Sequence, residues 1–297
     1  MKTFMCLVLL LTSAISLASP FYEIEEADEY IPYFYDVTEE SGQNLKIAAH
    51  LWTKNNSKLV LMAHGYTDNC GYLKPLQRWF LLNQFDVLCI ELPGHGESSG
   101  PQADVTRIET YYEIYQTLLP QVFVLNYESF VFYGHSTGNI GMIEYLLDKN
   151  SHQFDKIIMA TPLIRSYLWK LSRLGQRLFG RVVRRLPKRP VSTSNPEYKK
   201  LVKLDPHPMR SVPMNWFEEL IKWNNKLLTD ERKSQEKIYS IFASKDTVID
   251  YQFNKNFIQE RFPNTEMKVI KGSDHTLHYQ EKQHTDIFYG ILQSILK

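Results

Sequence analysis

Strand-length apolar runs alternate with segments of helical spacing from residue 33 to the end of the chain, and this alternation is the feature that most restricts the fold. Residues 58–63, 85–91, 129–133, 156–160, 237–243 and 267–270 are rich in Val, Ile, Leu and Phe and show no polar alternation. Runs of that kind fit strands buried on both faces. Residues 72–83, 108–125, 139–149, 252–261 and 286–296 carry apolar residues at three- and four-residue steps and are predicted as helices. Strand–helix–strand order implies an α/β chain with a mostly parallel central sheet and helices on both faces. Residues 33–37 and 45–53 have no helix between them and read as an antiparallel hairpin at the sheet edge.

The alternation breaks once. From about residue 162 to 232 the chain is helical, punctuated by proline and strongly basic, and then the strand pattern resumes. The expected organisation is one domain over residues 19–297, with a helical cap inserted between two strands at about 162–232. A length of 297 residues and 43% apolar side chains are compatible with one large core. A net charge of +1 excludes a globally basic nucleic-acid binder. Residues 21–40 hold eight acidic and no basic side chains and read as a solvated N-terminal face.

Residues 1–18 are expected to be a secretory signal peptide. Lys2 is a short positive region, residues 4–11 are apolar, and Ser16-Leu17-Ala18 is a small-x-small cleavage signal before Ser19-Pro20. The expected location is secreted or periplasmic, the alternative being a membrane anchor formed by the uncleaved segment. Without Cys6, two cysteines remain, Cys70 and Cys89. They can pair in an oxidising compartment, but Cys89 lies in the apolar run 87–90, and its preferred reading is a small buried hydrophobe. No spacing of Cys and His suggests a metal site.

The chemistry is concentrated in Gly134-His135-Ser136-Thr137-Gly138, a Gly-x-Ser-x-Gly pentapeptide between a predicted strand and a predicted helix. Random placement of this composition gives about 0.04 such matches. Strand, turn and helix in that order form a nucleophile elbow, in which a strained serine stands at the top of the sheet. The amide of Thr137 and the helix N-terminus then face any negative charge that develops beside Ser136. A serine hydroxyl needs a base, and the base needs an orienting acid. The order Ser…Asp…His is satisfied by Asp246, just beyond the strand ending at Ala243, and by His275, in the loop after the strand ending at Ile270. Asp250 immediately precedes a helical pattern and reads as its N-cap. His278 and His284 read as surface residues or as supports behind the base. A second oxyanion amide is expected after the run ending at Ala63, where His64-Gly65-Tyr66 offers that of Tyr66. His64 itself reads as a residue that holds this loop. The glycine-rich run 93–100 lacks the spacing of a dinucleotide cradle.

Together, His64-Gly65, Leu92-Pro93-Gly94-His95-Gly96-Glu97-Ser98, Gly134-His135-Ser136-Thr137-Gly138, Asp246 and His275-Thr276-Leu277-His278 resemble the α/β-hydrolase fold. Within it they are most similar to monoacylglycerol lipases and bacterial lysophospholipases, over roughly residues 33–297. The resemblance implies a catalytic triad of Ser136, Asp246 and His275, with oxyanion amides from Tyr66 and Thr137. It implies hydrolysis of one acyl ester of a single-chain lipid, with no metal and no organic cofactor. Thr137 stands where this branch commonly has methionine, and Tyr66 is bulkier than the residue often found there.

The alternatives are a carboxylesterase, thioesterase or prolyl-type aminopeptidase acting on small soluble substrates, or a hydrolase-fold binding protein without catalysis. A prolyl-type aminopeptidase needs acidic cap residues for the substrate amine, whereas residues 165–189 hold nine basic side chains and no acid. In that stretch Leu168, Leu171, Leu174, Leu178, Val182 and Leu186 recur at three- and four-residue steps, with Arg173, Arg177, Arg181, Arg184 and Arg185 between them. One expectation is a lid helix that packs its leucines onto the body. The other is a peripheral contact of the basic cap with an anionic membrane surface.

Overall fold

In the computed structural model, which describes residues 21–188 and 195–297, the alternation becomes a single eight-stranded sheet. In chain order the first strands are β1 (Glu29–Thr38), β2 (Asn44–Thr53), β3 (Lys58–Ala63), β4 (Phe85–Ile90), β5 (Ser129–His135) and β6 (Phe154–Ala160). Two short strands, β7 (Arg185–Pro187) and β8 (Ser211–Pro213), pair only with each other. The main sheet resumes with β9 (Tyr239–Ala243) and β10 (Glu266–Ile270). Its order is β1-β2-β4-β3-β5-β6-β9-β10. β1 pairs antiparallel with β2 and β2 antiparallel with β4; all other pairs are parallel. The helices are α1 (Lys74–Leu82), α2 (Thr110–Val122), α3 (Ile140–Leu147), α4 (Trp169–Phe179), α5 (Pro196–Leu204), α6 (Met214–Thr229), α7 (Tyr251–Arg261) and α8 (Lys282–Leu296).

The central strands lack polar alternation because both of their faces are covered. Leu59, Leu61 and Ala63 of β3, with Phe130 and Phe132 of β5, join one core beneath α2, α3 and α7. Val60 and Met62, with Val131 and Tyr133, join a second core beneath α1 and α8. Burial of each such side chain stabilises the fold by about 1.5–3 kcal/mol. Parallel strands with helical crossovers bring all their carboxyl ends to one edge, and β5, β9 and β10 deliver the loops of Ser136, Asp246 and His275 there.

Two expectations are corrected. Residues 21–40 are not simply a solvated face: Phe21, Tyr22 and Ile24 are buried in the second core, and the Trp52 indole donates to the carbonyl of Tyr22 (2.7 Å). Glu39 is buried as well and accepts from the hydroxyls of Thr106 and Thr110. Cys70 and Cys89 form a disulfide (S–S 2.08 Å), because the short helix at Cys70–Leu73 folds back on β4 and brings their Cα atoms to 5.9 Å. The expected signal segment lies outside the described residues.

Between β6 and β9 lie α4, β7, α5, β8 and α6. α4 is held to α6, within the same insertion, through Trp169, which meets Phe217 edge-on, and Gln176, which donates to Glu218. The leucines do not pack inward: Leu171, Leu174 and Leu178 are 63%, 52% and 60% exposed.

Candidate active site

β5 ends at His135, and the chain turns abruptly into a short helix at Ser136–Asn139 that continues as α3. Ser136 has φ +50°, a left-handed conformation that a serine adopts only when its surroundings enforce it. The enforcement is visible on both sides of the residue. A Cβ at Gly138 would lie 2.6–2.7 Å from the carbonyl oxygens of Ala63 and His64, and one at Gly134 would strike Asn139. The Asn139 side chain then donates to the carbonyls of Ser136 (3.2 Å) and Ala160 (3.3 Å), tying the turn to β6. Thr137 lies in the first turn of the short helix, where amides have no intrahelical partner.

Asp246 and His275 are brought together by adjacent parallel strands. Asp246 Oδ2 lies 2.7 Å from His275 Nδ1. Its other oxygen, Oδ1, accepts the amides of Val248 (2.8 Å) and Ile249 (3.0 Å). With three groups directed at it and a fully buried side chain, this carboxylate has a fixed orientation. The Asp250 carboxylate accepts the Phe253 amide at the start of α7 and so caps that helix. His275 lies against the elbow, its ring centroid 4.9 Å from that of His135, the residue before Ser136. The His275 carbonyl accepts from the Thr161 hydroxyl (3.4 Å).

His278 is buried, not on the surface, and its ring meets His135 edge-on at 5.5 Å. Burial lowers the His278 pKa to about 4 and that of His135 well below the ordinary imidazole range, with the neighbouring His275 adding to both. Both rings therefore stay neutral near pH 7 and put no competing charge beside His275.

The loop after β3 lies directly on the elbow. A Cβ at Gly65 would come within 2.8 Å of His135 Nδ1 and 3.4 Å of Ser136 Cβ, so only glycine permits this approach. His64 holds the loop from behind: its Nδ1 bonds the Gly65 carbonyl (2.8 Å) and its Nε2 lies 3.0 Å from Glu91 Oε2. Glu91 is wholly buried and also receives the Tyr22 hydroxyl and the Cys70 amide, with His50 at 3.2 Å. Burial alone would raise its carboxyl pKa, but His50 and His64 outweigh burial and hold it well below the usual range. Nothing in the apolar run 85–91 marked Glu91 as the hub of this network.

On its outer side the same loop is held by the insertion. The Tyr66 ring stacks on Trp216 of α6 at 3.7 Å and 14°, and its hydroxyl donates to the Ala103 carbonyl (2.7 Å). Lys188 donates to the Thr67 carbonyl (2.9 Å), Tyr198 to Asp68 (3.5 Å), and Asn69 to Asp205 (3.2 Å). Four consecutive residues beyond the glycine are thus each tied to the segment between β6 and β9. These partners, distant in sequence and ordinary in type, gave no signal before folding.

A family model described as serine aminopeptidase, S33 (Hydrolase_4) matches residues 54–283, a span that contains Tyr66, Ser136, Thr137, Asp246 and His275. The chain belongs to the S33 hydrolase family. No curated protein matches this S33 hydrolase by sequence. Among solved structures, a soluble variant of monoglyceride lipase from Saccharomyces cerevisiae in complex with a substrate analogue is 18% identical, with a TM-score of 0.69. That alignment covers 93% of this chain and 98% of the yeast one. The Paleococcus ferrophilus monoacylglycerol lipase is 16% identical with a TM-score of 0.65, over 90% of this chain and 98% of the other. An esterase from Exiguobacterium antarcticum is 13% identical with a TM-score of 0.59, over 89% and 100%. At such identities the likeness establishes a shared α/β-hydrolase fold. A separate cleft of about 780 Å³ on the S33 hydrolase, lined by Arg107, Glu109, Lys226 and Arg232, contains none of the site residues. Its cations are paired with its own acids, Glu40 among them.

Proposed function

We propose that this S33-family protein is a serine hydrolase that cleaves carboxylic acyl esters of single-chain lipids, lysophospholipids or monoacylglycerols. The observation that carries the reading is the 2.7 Å Asp246–His275 pair set beside a serine at φ +50° on the carboxyl edge of the sheet. In this reading His275, held by Asp246 in the tautomer with its proton on Nδ1, takes the Ser136 proton as Oγ attacks the ester carbonyl. The tetrahedral oxyanion is received by the amides of Tyr66 and Thr137. His275 then protonates the departing alcohol and leaves an acyl-enzyme on Ser136. A water molecule, deprotonated by the same imidazole, releases the fatty acid.

Two features favour a lipid over an amino-terminal peptide. Residues 165–189 hold nine cations and no acid that would anchor a substrate amine. The same segment presents leucines to the outside. A fluorophosphonate probe should label the wild-type protein and not Ser136→Ala. A panel of lysophospholipids, monoglycerides, p-nitrophenyl esters and aminoacyl amides should then show the highest kcat/KM for the first two classes. Faster cleavage of aminoacyl amides would overturn the lipid reading, and no labelling would overturn the serine one.

The reading extends to an oxidising compartment outside the cytosol. The Cys70–Cys89 disulfide supports this, because such bonds persist there and are rare in reducing cytosol. Protein recovered from the medium or periplasm should begin at Ser19. Retention of the intact chain in the cytosol with free thiols would refute the assignment.

A further inference from the structure

α4 has three sides, set by 3.6 residues per turn. Trp169 and Gln176 face α6. Leu171, Leu174 and Leu178 form a row on the side facing away from it, and Phe179 (58% exposed) at the helix end and Val182 (82% exposed) beyond it are exposed as well. The row begins beside Tyr167 and Val248, which are themselves exposed and are joined by a backbone hydrogen bond (2.8 Å). Lys170, Arg173 and Arg177 line the flank between these two sides, Arg181 follows in the turn just beyond the helix, and all four are exposed. None of them enters an ion pair among the described residues, whereas Arg107 and Arg232 elsewhere are engaged by two and three carboxylates.

An apolar row this long on one helix is unusual for a surface that meets only water. A second copy is a poor occupant, because an antiparallel two-fold pairing would set the cations beside one row against those beside the other. A body surface as occupant would have to be acidic and apolar together. An interface of anionic lipid offers both at once, with headgroup charge for the arginines and acyl chains for the leucines.

We propose that α4 is an interfacial docking helix that lies in the plane of an anionic bilayer, with Leu171, Leu174 and Leu178 inserted and Arg173, Arg177 and Arg181 at headgroup level. A lipid ester would then reach the site from the surface on which the protein rests. The inference complements the lipid-esterase reading, but it is measured as binding and does not depend on turnover.

The experiment is co-sedimentation of the isolated Ser136→Ala protein with vesicles of phosphatidylcholine alone, or with roughly one-third phosphatidylglycerol. Binding should be strong to the anionic vesicles and should weaken as salt is raised, because counterions screen the headgroup charge. Replacing Arg173, Arg177 and Arg181 together by Gln should weaken anionic binding roughly a hundredfold, at about fivefold per charge. Leu171→Ser with Leu178→Ser should weaken it at least tenfold, as buried methylenes are lost. Both sets lie on exposed positions, so melting temperature and the wild-type-background rate on a soluble p-nitrophenyl ester should not change, which separates docking from folding and catalysis. Undiminished binding of the Leu variant, or equal binding to neutral and anionic vesicles, overturns the proposal. So does a dimer in light scattering that the Leu variant abolishes while vesicle binding is absent.

Discussion

Replacing Asp246 by Asn tests the site most sharply, because the surroundings dictate how the new side chain must sit. Two peptide N–H groups, from Val248 and Ile249, point at Oδ1 at 2.8 and 3.0 Å. An asparagine can satisfy them only with its carboxamide oxygen, which turns its NH2 toward His275 Nδ1, 2.7 Å from the present Oδ2. Two donors cannot face each other, so Nδ1 must carry the lone pair and the imidazole proton moves to Nε2. That nitrogen is the one that has to receive the serine proton. The loss expected from the wrong tautomer is about 10⁴ in kcat, or about 5.5 kcal/mol at 1.36 kcal/mol per decade. KM should change little, because the substrate does not touch this pair. The assay is kcat and KM on a soluble p-nitrophenyl ester, beside Asp250→Asn as the control. Asp250 caps α7 through the Phe253 amide, and Asn caps equally well, so that variant should stay within a few-fold of wild type. A rate for Asp246→Asn within tenfold of wild type, or a larger loss in Asp250→Asn, would refute the reasoning.

Activity should fall as the pH is lowered below neutral, because a protonated imidazole base cannot accept the serine proton. His278, with its pKa near 4, and His135, lower than ordinary, contribute no competing step there, so a flat profile would contradict a histidine base. Stability should also decline below about pH 6.5. Burial lowers His278 to about 4 and His95 to about 3, so the unfolded chain binds protons in this window that the folded one refuses. Each such histidine removes up to about 1.4 kcal/mol per pH unit until its folded pKa is reached. Melting temperatures that hold constant from about pH 7 to 4.5 would exclude these buried neutral rings. Trp216→Leu should lower kcat by about ten- to a hundredfold with a smaller change in KM, by freeing the loop that presents the Tyr66 amide. Trp216→Phe, which keeps the stack, should restore most of the rate, and equal rates in all three would show that α6 does not position that loop.

The sequence alone determined what depends on local pattern and chain order. Runs such as Val60–Met62 and Val131–Tyr133, apolar on both faces, can be only central strands, and Gly134 to Gly138 between strand and helix can be only a sharp turn. With parallel strands, order along the chain then became proximity in space, and Asp246 met His275 across neighbouring loops. What depends on separation through space was decided only by the tertiary structure. Whether Cys70 reached Cys89 turned on the path of a short helix over β4. The same periodicity of leucines serves equally for packing inward or facing out, and it was the contact of Trp169 with Phe217 that turned the row in α4 outward. The hold of Trp216 and Lys188 on the loop at residues 66–67 was likewise invisible beforehand, because a stacked ring and a lysine on a carbonyl join residues more than a hundred positions apart and require no special residue at either end.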